Sequence, residues 1–191
     1  LGNTQPVTPA PISSSMRLSG TVMGEANAPV TIEEWADFQC PACRAFAVNT
    51  EPQLRAAYIA TGKVRFIYQN FAFLGVESDW AAQAAECAAA EGRFVDYHDR
   101  LYAAQGGENS GAFSKANLKK IGVDLGLGGQ FATCVDSGAY AAKVRDSRSA
   151  GQAKGVQATP TLFINGTKIE GVHTFDQHRE EVELPLDPLP R

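Results

Sequence analysis

The chain has no excess of basic residues: 17 Lys and Arg stand against 21 Asp and Glu, for a net charge of -4. Without a basic stripe there is no electrostatic footprint for a nucleic-acid backbone, and no nucleic-acid partner is expected. No apolar run approaches the roughly 20 residues that cross a bilayer. Methionine is limited to Met16 and Met23, both well upstream of the one close cysteine pair. Histidine is limited to His98, His173 and His178, with no spacing that reads as a metal-ligand pair. No internal repeat of fixed period is present. What remains is ordinary: of 191 residues, 44% are hydrophobic and 20% charged. That is enough to bury one core without help from disulfides.

The chain divides by composition. Residues 1–18 begin LGNTQPVTPAPISSS, rich in Pro, Ser and Thr, and read as a flexible leader or linker. Such a tether suggests that a signal or membrane anchor preceded it. Residues 184–191, LPLDPLPR, carry three prolines and read as a tail. Between them, 19–183 form the folded domain. VTIEEWADF (Val30 to Phe38) alternates as a strand, with Glu34 on the same face as Val30, Ile32, Ala36 and Phe38. A helix follows the cysteines, with a kink or restart predicted at Pro52. KVRFIYQNFAF (Lys63 to Phe73) is a second strand, parallel to the first as βαβ units require. Residues from about 78 to 153 become Ala-rich and helical, with Asp79 as the expected first cap. Asn165-Gly166 then marks a hairpin between Thr161–Ile164 and Thr167–Glu170, and FDQHREEVE closes with a helix. The fold class is α/β: a mixed sheet flanked by helices, with an inserted all-helical subdomain.

The chemistry centres on Cys40-Pro41-Ala42-Cys43. Structural zinc or an iron–sulfur cluster would need a second ligand pair, and Cys87 and Cys134 stand alone in sequence. A purely structural disulfide would close a tiny loop and restrict the unfolded chain very little. A Cu(I) carrier would use the same thiolates, but no methionine lies beside them. A redox pair fits better. The strand ends just before Cys40 and a helix starts at the cysteines, where unpaired N–H groups and the helix dipole stabilise a thiolate. Pro41 suits the first helical position. Cys40 is then the nucleophile and Cys43, one turn in, the resolving thiol. Glu34 on its apolar face would lie beneath Cys43 as a proton relay. The competing reading is an edge position, or a register slip that exposes Glu34 instead of Glu33.

DFQCPAC after a strand, an all-helical insertion and GVQATPTLFING near the end resemble the DsbA-type thiol–disulfide oxidoreductases of the thioredoxin superfamily, over Val30 to His178. The resemblance implies a thioredoxin-like fold and an enzyme that introduces disulfides into extracytoplasmic proteins. It also implies that Pro160 is cis and faces the CxxC pair, although residues alone would permit a trans proline at a strand start. Thr159, before it, would contact the sulfurs and grip the substrate chain together with Pro41 and Ala42. The family's acid six residues before the first cysteine maps onto Glu34. No organic cofactor or metal is implied beyond the redox-active Cys40–Cys43 disulfide. Implied partners are reduced or unfolded proteins and a membrane quinone-linked oxidase, with the enzyme monomeric and located in the periplasm or on the outer face of the membrane. A reductase or isomerase on the same fold is the nearest alternative, though isomerases of this superfamily generally carry a separate dimerisation domain. The best-known oxidants carry Pro-His between the cysteines; Ala42 offers no side-chain donor, which implies a weaker oxidant.

Cys87 and Cys134 each fall on the apolar face of an expected helix. They are two buried thiols or, in an oxidising compartment, a structural disulfide. His98 reads as a partly exposed packing residue and His173 as a loop residue.

Overall fold

A computed structural model describes residues 16–186. The expectations for residues 1–15 and 187–191 lie outside the described residues. Six strands form one mixed sheet: β1 (Leu18–Ser19), β2 (Val22–Met23), β3 (Val30–Ala36), β4 (Val64–Asn70), β5 (Thr161–Ile164) and β6 (Thr167–Glu170), in the spatial order β1-β2-β4-β3-β5-β6. β3 is central, parallel to β4 and antiparallel to β5, with Glu34 opposite Tyr68 on one side and Leu162 on the other. Its alternation buries Val30, Ile32 and Glu34 completely. Glu33 points to the other face and pairs with Lys154. The register is therefore the one in which Glu34, not Glu33, faces the core.

Between β3 and β4 the helical stretch breaks in two. α1 (Pro41–Asn49) ends at Thr50, and α2 (Glu51–Leu54) restarts with Pro52 in its first turn, where a missing N–H costs nothing. A π-helical turn, Arg55–Ile59, continues it and buries Arg55 and Tyr58. Five helices follow: α3 (Val76–Ala90), α4 (Phe94–Ala104), α5 (Lys115–Asp124), α6 (Gly129–Ser137) and α7 (Ala141–Ala153). α3 begins earlier than its sequence suggests, and Asp79 is not its cap. Gly75 takes that place at φ 129, with the Asn109 side chain 2.4 Å from where a Cβ would sit. No other residue fits that backbone and that gap.

The domain also extends past both expected ends. Met16 is buried and Leu18 opens β1, so order starts before residue 19. α8 (Phe175–Leu186) runs through Pro185, because Leu186 packs against the core and holds the last turn in place.

Cys87 of α3 and Cys134 of α6 are joined as a disulfide with Cα atoms 6.0 Å apart and a sequence separation of 47. In the loop-entropy account such a link contributes about 4 kcal/mol. Replacing both cysteines by alanine should lower the unfolding free energy by roughly that amount, measured by urea denaturation. Exchange at Cys40 should be unaffected, because the bond lies within the helical insertion.

Candidate active site

β3 leads into a loop whose geometry is fixed largely by one acid. The buried Asp37 carboxylate accepts from the backbone N–H of Gln39 (2.8 Å), Phe73 (2.8 Å) and Leu74 (3.1 Å) and from the Ser78 hydroxyl (2.6 Å). From the C-cap of α4, Gln105 Nε2 donates to the carbonyls of Phe38 (2.7 Å) and Cys40 (3.0 Å). The insertion thus clamps the segment that presents the cysteines. Sequence reasoning missed these clamps; the one available signal was a pair of polar residues, Asp37 and Gln39, on either side of Phe38 directly before the CxxC pair.

Cys40 is the N-cap of α1, and its Sγ accepts from the Cys43 backbone N–H at 3.5 Å. Pro41 occupies the first turn without forfeiting a hydrogen bond. Cys40 is 7% exposed and Cys43 wholly buried, and both thiols are free. Their acidities diverge. Hydrogen bonding from the Cys43 thiol, with help from Thr159 and the N–H groups of Cys43 and Ala42, lowers the Cys40 pKa to about 6 against the opposing effect of burial. Ala42 therefore supplies a backbone donor where it has no side-chain one. Burial chiefly, and then the bond to Cys40, pushes the Cys43 thiol well up. Pairs whose surroundings drive their pKa values apart mark acid–base assignments.

The Thr159–Pro160 peptide bond is cis. The Cys40 thiol donates to the Thr159 carbonyl at 3.4 Å, and the Thr159 hydroxyl is buried with no hydrogen-bond partner. The Pro160 carbonyl accepts from Gly171 N–H at 2.9 Å, which ties this loop to the end of β6. Pro41 is exposed and Ala42 half-buried, flanking the thiol.

Glu34 is completely buried, and neither of its oxygens has a hydrogen-bond partner. Burial foremost, and then the Glu51 charge, raises its pKa well above the ordinary carboxylate value, with Arg55 opposing. Its charge in turn raises Cys43, so the two groups are electrostatically linked.

One histidine reading needs correction. His98 is not partly exposed but fully buried, ringed by Phe38, Tyr68, Phe94 and Tyr102. It falls in register with Phe94, Leu101 and Tyr102 on the inward stripe of α4, a spacing visible in the sequence. His173 does sit in a loop, but that loop folds back over α8. There His173, His178 and Glu181 each bring one ligand atom within 4.8 Å of the others, so the histidines are closer to a ligand cluster than their sequence spacing indicates.

Comparison with known proteins agrees with this geometry. The family model described as Thioredoxin matches residues 17–183. The probable disulfide bond formation protein D of Bacillus anthracis is 32% identical over 174 residues, covering 86% of this chain and 77% of that protein. The crystal structure of oxidised BdbD from Bacillus subtilis superposes with a TM-score of 0.80 at 28% identity, covering 89% of this chain and 98% of that one. Chlamydia trachomatis DsbA, at 21% identity, shares the fold with a TM-score of 0.78 over 89% of this chain and 93% of its own. The chain belongs to the thioredoxin superfamily and within it is a DsbA-type thiol–disulfide oxidoreductase, an enzyme that forms disulfide bonds.

Proposed function

We propose that Cys40 is the exchanging thiol of an oxidase that works on reduced or unfolded proteins outside the cytoplasm. The observation that carries this is the split between the cysteines: Cys40 is acidified to about 6 at the mouth of the site, while the wholly buried Cys43 is pushed up behind it. In the oxidised enzyme a substrate thiolate attacks Cys40 Sγ, the Cys40–Cys43 bond breaks, and Cys43 leaves as a thiolate. Glu34 supplies the proton that Cys43 then needs. A second substrate thiolate attacks the substrate sulfur of the mixed disulfide, forming the substrate's disulfide and releasing Cys40. Two electrons pass from the substrate dithiol to the enzyme. Because Cys40 leaves as a stabilised thiolate, the reduced enzyme is favoured and the reaction runs toward substrate oxidation.

Thr159, with Pro41 and Ala42, lines the rim on which the substrate chain rests. The exchange balances with two thiols and one carboxyl, and needs no metal or organic cofactor. A membrane quinone-linked disulfide oxidase is the reoxidant that suits this chemistry, acting on a monomeric enzyme. The Cys87–Cys134 disulfide supports an oxidising compartment. No helix among the described residues is long and apolar enough to cross a membrane.

The test is thiolate absorbance at 240 nm in the reduced protein, read against pH. A transition near 6 that disappears in Cys40→Ser is expected. A first transition above 8 would contradict the assignment of Cys40 as the stabilised thiolate.

A further inference from the structure

Beyond Glu34 lies a second set of buried ionisable groups that disulfide exchange by itself does not explain. Glu34, Glu51 and His98 are each fully buried and bring one ligand atom within 4.8 Å of one another. The atoms left without a hydrogen-bond partner include both oxygens of Glu34, Oε2 of Glu51 and Nε2 of His98. His98 Nε2 lies 3.5 Å from Glu51 Oε2. On the far side of the same ring, Nδ1 is 2.8 Å from Asp99 Oδ1, and the Asp99 side chain is 17% exposed. Arg55 holds the outer oxygens in place, donating through Nε to Glu51 Oε1 at 2.8 Å and through its two terminal nitrogens to Asp99 at 2.8 Å each. The remaining wall comes from Tyr68 of β4 and Tyr102 of α4, whose hydroxyls bond each other at 3.2 Å.

A network built for stability alone satisfies its members, and buried polar atoms without partners call for an explanation. Here the unpartnered atoms come from three different elements and converge, while the partnered ones lead outward to solvent. An imidazole can take a proton at one nitrogen and release another from the opposite one. The 3.5 Å gap, and the others of no more than 4.8 Å, are of a size that one bridging water or a modest side-chain rotation closes.

We propose that Glu51, His98 and Asp99 form a proton conduit that exchanges the Glu34 proton with solvent, with the His98 ring as its carrier. The proposal rests on the relay role given to Glu34 above. When Glu34 hands its proton to the Cys43 thiolate, a bare carboxylate is left in the core. One proton then moves to it from His98 Nε2 by way of Glu51, and the ring regains one at Nδ1 that Asp99 first accepts from water. Against the effect of burial, bonds from His98 and Arg55 hold the Asp99 carboxyl well below the usual carboxylate range, so it passes the proton on without storing it. Each proton delivered to Cys43 is matched by one entering at Asp99. Reoxidation of the enzyme runs the same path outward. These three are relay residues that act through Glu34, and none touches the sulfurs being exchanged.

The experiment is stopped-flow reduction of the oxidised enzyme by a cysteine-containing peptide, in H2O and D2O, for wild type, His98→Gln, Asp99→Asn, Glu34→Gln and the Glu34→Gln/His98→Gln double variant. Glu34→Gln should slow the proton-limited step about 100-fold, and the two conduit variants about tenfold each with a larger solvent isotope effect. The Cys40 absorbance midpoint should stay where it is in both conduit variants, and the double variant should be no slower than Glu34→Gln. If His98→Gln fails to fold, Asp99→Asn, a near-isosteric change at the outer end, gives the same reading. Wild-type rates in both conduit variants alongside a slow Glu34→Gln would overturn the conduit and leave the Glu34 role standing. A double variant slower than Glu34→Gln, or a moved Cys40 midpoint, would show a merely structural role and also overturn it. A wild-type rate in Glu34→Gln would remove both readings.

Discussion

Cys40→Ser is expected to abolish disulfide exchange while leaving the fold intact. A hydroxyl cannot form the mixed disulfide, and a buried Cys43 with a raised pKa cannot take over the attack. The loss should be on the order of 10^4-fold or more, as for other deleted nucleophiles. Structure should be spared, because Cys40 is the N-cap of α1 and serine is among the best residues for that position. The thermal midpoint of Cys40→Ser should therefore match or exceed that of the reduced wild type. Cys43→Ser should behave differently. It keeps the acidified nucleophile but cannot resolve, so it should accumulate a stable mixed disulfide with a model thiol, seen by mass spectrometry. A Cys43→Ser protein that forms no adduct while Cys40→Ser does would reverse the roles of the two thiols.

Glu34→Gln is the second large effect, and it should move rate and stability in opposite directions. The rate of enzyme reduction should fall about 100-fold, because a general acid typically contributes 10²–10⁴. Stability should rise. Glu34 lies fully buried with both oxygens unpartnered, so ionising it there is costly, whereas the amide has no charge to bury. The sign with pH follows from its raised pKa. A raised group contributes stability that is fully present below its unfolded value and is lost as pH rises toward its folded one. For Glu34 the unfolded value is near 4.5, so wild type loses stability above that pH and the amide, which has no proton to give up, does not. The advantage of Glu34→Gln should open above about pH 4.5 and close below it, as read from urea midpoints across pH. Equal midpoints at pH 4 and pH 7 would mean that Glu34 is not an acid under strain.

The parts of this site that were legible in the sequence are those whose chemistry is local. CPAC at a strand–helix junction and TPTLFING with its hairpin turn each declare themselves within a few residues, and strand alternation placed Glu34 inward without any fold. The helix restart at Pro52 was legible for the same reason. The environment of the site was not, because it is assembled from distant segments. Asp37 meets Phe73, Leu74 and Ser78 only once the insertion packs over β3. The start of α3 at Gly75 depends on Asn109, far along the chain, and no local cap reports it. Glu51 and Arg55 form an i,i+4 pair of a kind common on solvated helix faces, yet both are buried, Glu51 in α2 and Arg55 in the π turn that follows. His98 sat in a visible apolar stripe, but its charged neighbours Asp96, Asp99 and Arg100 outweighed the periodicity. Local charge density is a poor guide where an ion network is buried as a unit.

The central claim is that the Cys40–Cys43 pair is poised as an oxidant by the acidity of Cys40, even with Ala42 where stronger oxidants place histidine. The most direct measurement is its reduction potential against glutathione buffers, with Cys87–Cys134 shown by mass to remain oxidised throughout. Thiol pKa values of about 7 and 3.5 accompany potentials of about -270 and -120 mV in thioredoxin and DsbA. A Cys40 pKa of about 6 lies between those two, and the potential should as well. A value at or below about -270 mV would make the enzyme a reductant and contradict the direction of electron flow derived from its site.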